Sequence, residues 1–134
     1  DPEIIAEFNE RLINKIGGHI DEISLVKEDM ESGSDTLIIS YGISARSMKA
    51  AVKKLRSNGE KVSALTVYSL WPIPEKKILS SLNGIKRIII PEMNHGQYRQ
   101  EIERLANKNV DIVGVNRVDT FLITPEEIIK AYND

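Results

Sequence analysis

From Thr36 onward the chain alternates four times between a short apolar run and an amphipathic helical pattern. Few architectures satisfy that alternation. Leu37-Ile38-Ile39-Ser40-Tyr41, Val62 to Tyr68, Arg87 to Ile90 and Val110 to Val115 read as strands. The Ile88-Ile89-Ile90 run has no polar alternation, the mark of a strand buried on both faces. Pro91 has no N–H to donate, so the ladder is expected to end there. Helical spacing follows each run. Ala45 to Asn58 puts Met48, Ala51, Val52 and Leu55 on one face, and Gly59 ends it. The stiff loop Trp71-Pro72-Ile73-Pro74 feeds a helix to Leu82. His95 to Asn107 turns Ile102 and Leu105 inward. Thr124-Pro125-Glu126-Glu127 opens the last helix with a Thr cap, Pro at the first position and Glu three residues after the cap. Repeated strand–helix units imply an α/β fold: a mainly parallel sheet with helices on both faces and right-handed crossovers.

The first 35 residues are less regular. Asp1-Pro2-Glu3 reads as a helix start, and Ile4, Ile5, Phe8, Leu12, Ile13 and Ile16 follow at helical spacing until Gly17-Gly18. That stripe needs a partner, in this domain or another. Residues 1–20 are read as a linker helix from a preceding domain, and 21–134 as the α/β domain. Ile23 to Val26 reads as a short strand, and the acidic stretch Glu28 to Asp35 as a loop. The chain begins at Asp1 and reads as a piece of a longer one.

Composition narrows the chemistry. With 134 residues there is enough chain for one domain with a real core. Without cysteine there is no disulfide scaffold, no thiolate metal site and no cysteine nucleophile. No secretory signal and no membrane-length apolar run is visible, which points to the cytoplasm. The net charge of -2 hides an asymmetry: ten acids and three bases up to Asp35, ten and fifteen after it. The basic excess is spread along helices and not gathered into a run interleaved with aromatics, so nucleic-acid binding is disfavoured.

Three places carry polar groups at strand ends, where α/β sheets place their ligands and partners. The first is the turn Tyr41-Gly42-Ile43-Ser44-Ala45-Arg46. Free N–H groups at a helix start attract anions, and Ser44 can cap or bind there. Neither the GxGxxG nor the GxxxxGK[ST] fingerprint is present. The plain reading is a tight turn that needs Gly42 and uses Ser44 as cap. Arg46 faces the unfavourable end of the helix dipole, so we expect it to pair with an acid from another subunit or with an anion. The second place is Glu92, Asn94, Gly96 and Gln97, with His95 among them. One Glu and one His are too few for a metal site. Hydrogen bonding of Glu92 to the next helix start is the plain reading, and no catalytic residue is assigned. The third is Trp71, which either packs under its loop or contacts a neighbour.

Val67-Tyr68-Ser69-Leu70-Trp71-Pro72-Ile73-Pro74-Glu75, Pro91-Glu92-Met93-Asn94-His95-Gly96-Gln97, and Ile39-Ser40-Tyr41-Gly42 before Ala45-Arg46 occur in this order. Together they resemble the C-terminal domain of the α subunit of 2-oxoacid:ferredoxin oxidoreductases, near the 2-oxoglutarate type. The likeness covers about residues 30 to 132. It departs at His95, where the family usually carries an apolar residue, and no role is attached to that histidine.

The resemblance implies a three-layer α/β/α fold like the C-terminal domain of transketolase. Its five-stranded sheet is mixed and mostly parallel, and its first strand is antiparallel to the rest. It implies a parent enzyme that decarboxylates a 2-oxoacid on thiamine diphosphate, passes the acyl group to coenzyme A, and sends electrons through iron–sulfur clusters to ferredoxin. Those cofactors would bind elsewhere in the parent. This piece would be inactive alone, meeting other domains of the α subunit and a β subunit. Two other readings stand beside it: a free-standing flavodoxin-like module that binds a nucleotide or anion at Gly42–Ser44, and the matching domain of a transketolase or 2-oxoacid dehydrogenase.

Overall fold

The computed structural model describes residues 2–18, 25–119 and 121–134. Helix α1 (Pro2–Gly18) comes first, followed by strand β1 (Val26–Asp29). Then β2 (Thr36–Tyr41), α2 (Ser44–Ser57), β3 (Ser63–Val67), α3 (Glu75–Ser81), β4 (Arg87–Glu92), α4 (Gln97–Leu105), β5 (Asp111–Asn116) and α5 (Pro125–Asn133) alternate as the apolar pattern requires. The strands form one sheet in the order β1-β3-β2-β4-β5. β1 runs antiparallel to β3, and the other neighbours are parallel.

Strand alternation divides the core in two. Leu37, Ile39, Leu65, Val67, Ile88 and Ile90 face α3 and α4, packing on Ile78, Tyr98 and Ile102. Ile38, Ala64 and Ile89 face the other way, onto Met48, Ala51, Val52 and Leu55 of α2 and Ile128 of α5. Each fully buried aliphatic side chain contributes about 1.5–3 kcal/mol of transfer free energy. That double burial is why apolar residues run consecutively in these strands, as in Leu37-Ile38-Ile39 and Ile88-Ile89-Ile90.

Three expectations are corrected here. Pro91 does not end the ladder, because β4 continues to Glu92, with Pro91 opposite Val115 and Glu92 opposite Asn116. In a parallel strand the N–H and C=O of one residue point to the same side. The carbonyls of Lys86 and Glu92 accept from Asp111 and Arg117, so even-numbered residues face β5 and odd-numbered ones face β2. The β2–β4 pairing stops at Ile38↔Ile89, so the nitrogen of Pro91 meets no ladder partner to lose.

Second, β1 lies later than expected. It shares only Val26 with the expected strand, and residues 23–24 lie outside the described ones. Glu28 and Asp29, read as loop, are strand. An edge strand needs main-chain pairing on one side only, so exposed polar side chains suit it. Arg56 fixes this edge: its Nη1 donates to both carboxylate oxygens of Asp29, at 3.0 and 3.1 Å. Third, the fourth helix starts at Gln97, and its N-cap Gly96 has a left-handed φ of 96°. His95 stays in the turn.

Of the two readings left open for Trp71, packing under its loop is not realised, since the side chain is 81% exposed. The Trp71–Pro72 bond is cis. The α1 stripe (Ile4, Ile5, Phe8, Leu12 and Ile13) is likewise exposed and does not pack on the sheet. The expected Asp1 cap lies outside the described residues.

Candidate functional site

The rim where the parallel strands end holds every residue singled out in the sequence, and the topology explains why. β2 has β3 on one side and β4 on the other, and the crossover from β2 to β3 runs opposite to the one from β4 to β5. Beyond Ile38↔Ile89 the two strands part. β2 continues with β3 to Tyr41↔Val67, and β4 continues with β5 to Glu92↔Asn116. Such a switch point is where open α/β sheets form their crevice.

Side chains close this gap. The Tyr41 hydroxyl donates to Glu92 Oε1 at 2.8 Å and accepts from Asn94 Nδ2 at 2.7 Å. Glu92 is 1% exposed. Its Oε1 also accepts from the Tyr98 N–H at 2.8 Å, and its Oε2 from the Arg99 N–H at 3.2 Å. The carboxylate thus caps α4, the plain role read from the sequence. A buried carboxylate is tolerated because N–H groups and a helix N-terminus face it. No ion pair to Glu92 is formed among the described residues. Asn94 Oδ1 accepts from the N–H of Gly96 at 2.7 Å and of Gln97 at 3.3 Å. Its carbonyl accepts from Asn116 Nδ2 at 3.0 Å, tying the turn to β5.

Burial first, then the Glu92 hydrogen bond and charge, push the Tyr41 hydroxyl up to about 12. Tyr98 packs edge-on against it, with ring centroids 5.2 Å apart. Burial and the neighbouring Tyr41, Glu101 and Glu92 raise the Tyr98 hydroxyl as well. Both therefore remain phenols at neutral pH. The network is a brace of hydrogen bonds between the ends of β2 and β4.

Gly96 and Gln97 join this network through their N–H groups alone, and Gly42, Ser44, Arg46 and Trp71 make no hydrogen bond to it. Gly42 takes a left-handed φ of 59°, as its turn requires. Ser44 is not the cap: Ile43 occupies the N-cap of α2 without a side-chain bond, and Ser44 is buried in the first turn. Arg46 is exposed and has no ion pair among the described residues. Gln97 is exposed, and Gly96 is buried.

Sequence reading missed Tyr98, Arg99, Gly114 and Asn116. Tyr98 had a signal, since it stands four residues before Ile102 on the same helical face. Gly114 had none: a Cβ there would lie 2.4 Å from both Arg99 Nη1 and Asn116 Oδ1. Glycine lets Arg99 cross β5.

Around the brace, the rim is apolar. Leu25, Ile43, Tyr68, Leu70, Trp71, Val118, Phe121 and Leu122 are all exposed, in the turns at this one end of the sheet. A cleft of about 280 Å³ lies between Leu70, Trp71 and Ile73 on one side and Gln97, Tyr98 and Glu101 on the other, with Tyr41 completing it. These residues do not fit the cofactors implied by the resemblance. The chain has no cysteine to ligate an iron–sulfur cluster. Among the described residues no three metal-ligating side chains come together to hold the cation of a diphosphate. Glu101, and Glu92 bonded to both tyrosines, oppose the polyphosphate of coenzyme A.

A family model described as pyruvate:ferredoxin oxidoreductase core domain II matches residues 34–128. The chain is similar to 2-oxoglutarate synthase subunit KorA of Methanothermobacter marburgensis, 30% identical over 130 residues. The match spans 97% of this chain but 35% of that subunit. Among solved structures, 2-oxoglutarate:ferredoxin oxidoreductase from Magnetococcus marinus, with 2-oxoglutarate, coenzyme A and succinyl-CoA bound, superposes with a TM-score of 0.82. It is 23% identical and covers 99% of this chain and 23% of its own. A split-gene transketolase, an inactive β4 tetramer, superposes at 0.66 with 18% identity, over 80% of this chain and 40% of its own. Both show the fold: three layers around a mixed, mostly parallel sheet of transketolase-like type. The chain belongs to the pyruvate:ferredoxin oxidoreductase core domain II family.

Proposed function

We propose that this chain is an assembly domain of a thiamine diphosphate-dependent 2-oxoacid:ferredoxin oxidoreductase, without turnover of its own. The parent enzyme, in the cytoplasm, converts a 2-oxoacid to an acyl-coenzyme A and reduces ferredoxin through iron–sulfur clusters. Residues 1–20 are its linker helix to a preceding domain, and residues 21–134 are the docking domain. Tyr41, Gly42, Ser44, Arg46, Trp71, Glu92, Asn94, Gly96 and Gln97 shape the rim that meets other domains of the α subunit and the β subunit.

One observation carries this reading: exposed large apolar residues ring a single rim around a braced network. Exposed apolar patches of this kind mark docking surfaces, and the brace fixes their positions before docking. Small misplacements of remote parts can cost much rate, so a docking rim still matters to catalysis. No helix among the described residues is long and apolar enough to cross a membrane, so α1 is not a membrane anchor by that measure.

The test is assembly of the intact enzyme with Ile43→Asp and Val118→Asp together, against Met30→Asp at the opposite end. The rim pair is expected to abolish co-purification of the subunits, and Met30→Asp to leave it unchanged. Normal assembly of the rim pair would end the reading.

A further inference from the structure

The cleft at the rim has a chemistry that the apolar ring around it lacks. Its walls are three aromatic rings, Tyr41, Trp71 and Tyr98, with the Glu101 carboxylate beside them. No lysine or arginine lines it. Glu92 is bonded to Tyr41 and to the Tyr98 N–H, and it forms no ion pair among the described residues. Glu101 pairs with Arg104 at 3.1 Å, which is shared with Glu75. Tyr98 is 7% exposed, and its enclosed hydroxyl has no hydrogen-bond partner. Aromatic faces carry partial negative charge, and the Glu101 carboxylate at the cleft wall favours a cation beside them.

We propose that this cleft receives an arginine side chain from the protein surface that docks on the rim. The inference rests on the docking reading above and names the chemistry of the partner. A guanidinium stacks on the open face of Trp71. Its N–H groups donate to the Glu101 carboxylate. An ammonium matches the charge but cannot stack as a plane. Arginine is also among the residues that dominate interface energetics.

Trp71 is the sole tryptophan, so its fluorescence reports on this cleft alone. The probes are N-acetyl-arginine amide, the uncharged isostere N-acetyl-citrulline amide, and N-acetyl-leucine amide. The arginine amide is expected to give a saturable change, with the citrulline amide at least about tenfold weaker. Glu101→Gln should weaken the arginine amide and leave the leucine amide unaffected. Equal binding of the citrulline amide, preference for the leucine amide, or no saturation with the arginine amide would overturn the inference.

Assembly of the intact enzyme separates the two claims. If Ile43→Asp with Val118→Asp destroys assembly while the arginine amide fails to bind, the docking reading survives and the arginine does not. If that pair leaves assembly intact, the docking reading fails, and this inference with it.

Discussion

The turns at the two ends of this sheet present opposite surfaces. At the end where the parallel strands finish, Ile43, Tyr68, Trp71, Val118 and Phe121 stand in solvent. At the other end Met30 is the exposed large apolar residue of the described turns, and Asn58, Glu60, Lys61, Asn83, Lys86, Asn107 and Lys108 supply the surface. The bonding differs too. The polar end is closed by backbone turns such as Asn58 to Lys54 and Ile85 to Leu82. The apolar end is closed by side chains, with Glu92, Tyr41 and Asn94 spanning the gap between β2 and β4. One end therefore finishes the fold, and the other holds a surface ready for something else. The lesson is that a dense, polar strand-end cluster can be buried and turned inward. Here its hydrogen bonds run inward to the backbone, and its exposed parts are apolar.

The contrast can be broken at several points. Glu92→Ala should cost the most stability, about 3 kcal/mol by urea unfolding, because it strands two N–H groups and the Tyr41 hydroxyl in the interior. A loss under about 1 kcal/mol would mean that the brace is dispensable. Gly59→Ala at the polar end forces a side chain into a left-handed φ of 86°. It should lose about 1–2 kcal/mol of stability without affecting subunit assembly.

Tyr41→Phe removes bonds to Glu92 and Asn94 and should cost about 1 kcal/mol at pH 7. It should also change the alkaline limb. The folded-state value of Tyr41, about 12, lies above its ordinary 10.0. Its contribution is thus whole below pH 10 and lost as pH rises toward 12. Unfolding curves across that window should fall less steeply for Tyr41→Phe than for the parent. The smallest effect on the fold is expected for Arg46→Glu. Stability should stay within about 0.5 kcal/mol, since Arg46 is exposed and unpaired, while assembly weakens. Unchanged assembly would remove Arg46 from the docking rim.

Sequence periodicity located the helix faces well because a helix buries its stripe locally: Met48, Ala51, Val52 and Leu55 are all in the core. It also found the Thr124 capping box, whose partners lie three residues apart. It failed where the deciding partner was distant in the chain. Pro91 is tolerated because β2 has already left β4. Glu28 and Asp29 are strand because β3 lies beside them. Tyr98 belongs to the rim because Tyr41, far back in the sequence, meets its ring.

The sequence by itself determined the layers, the helix faces and the doubly buried strands, since period and apolar content are local properties that burial reads directly. Only the tertiary structure decided that Tyr41, Glu92, Asn94 and Tyr98 form one brace, and that Ile43, Tyr68, Leu70, Trp71, Val118 and Phe121 share one rim. Both depend on which strands are neighbours and where they part, and strand order is set by long-range pairing that no local pattern encodes.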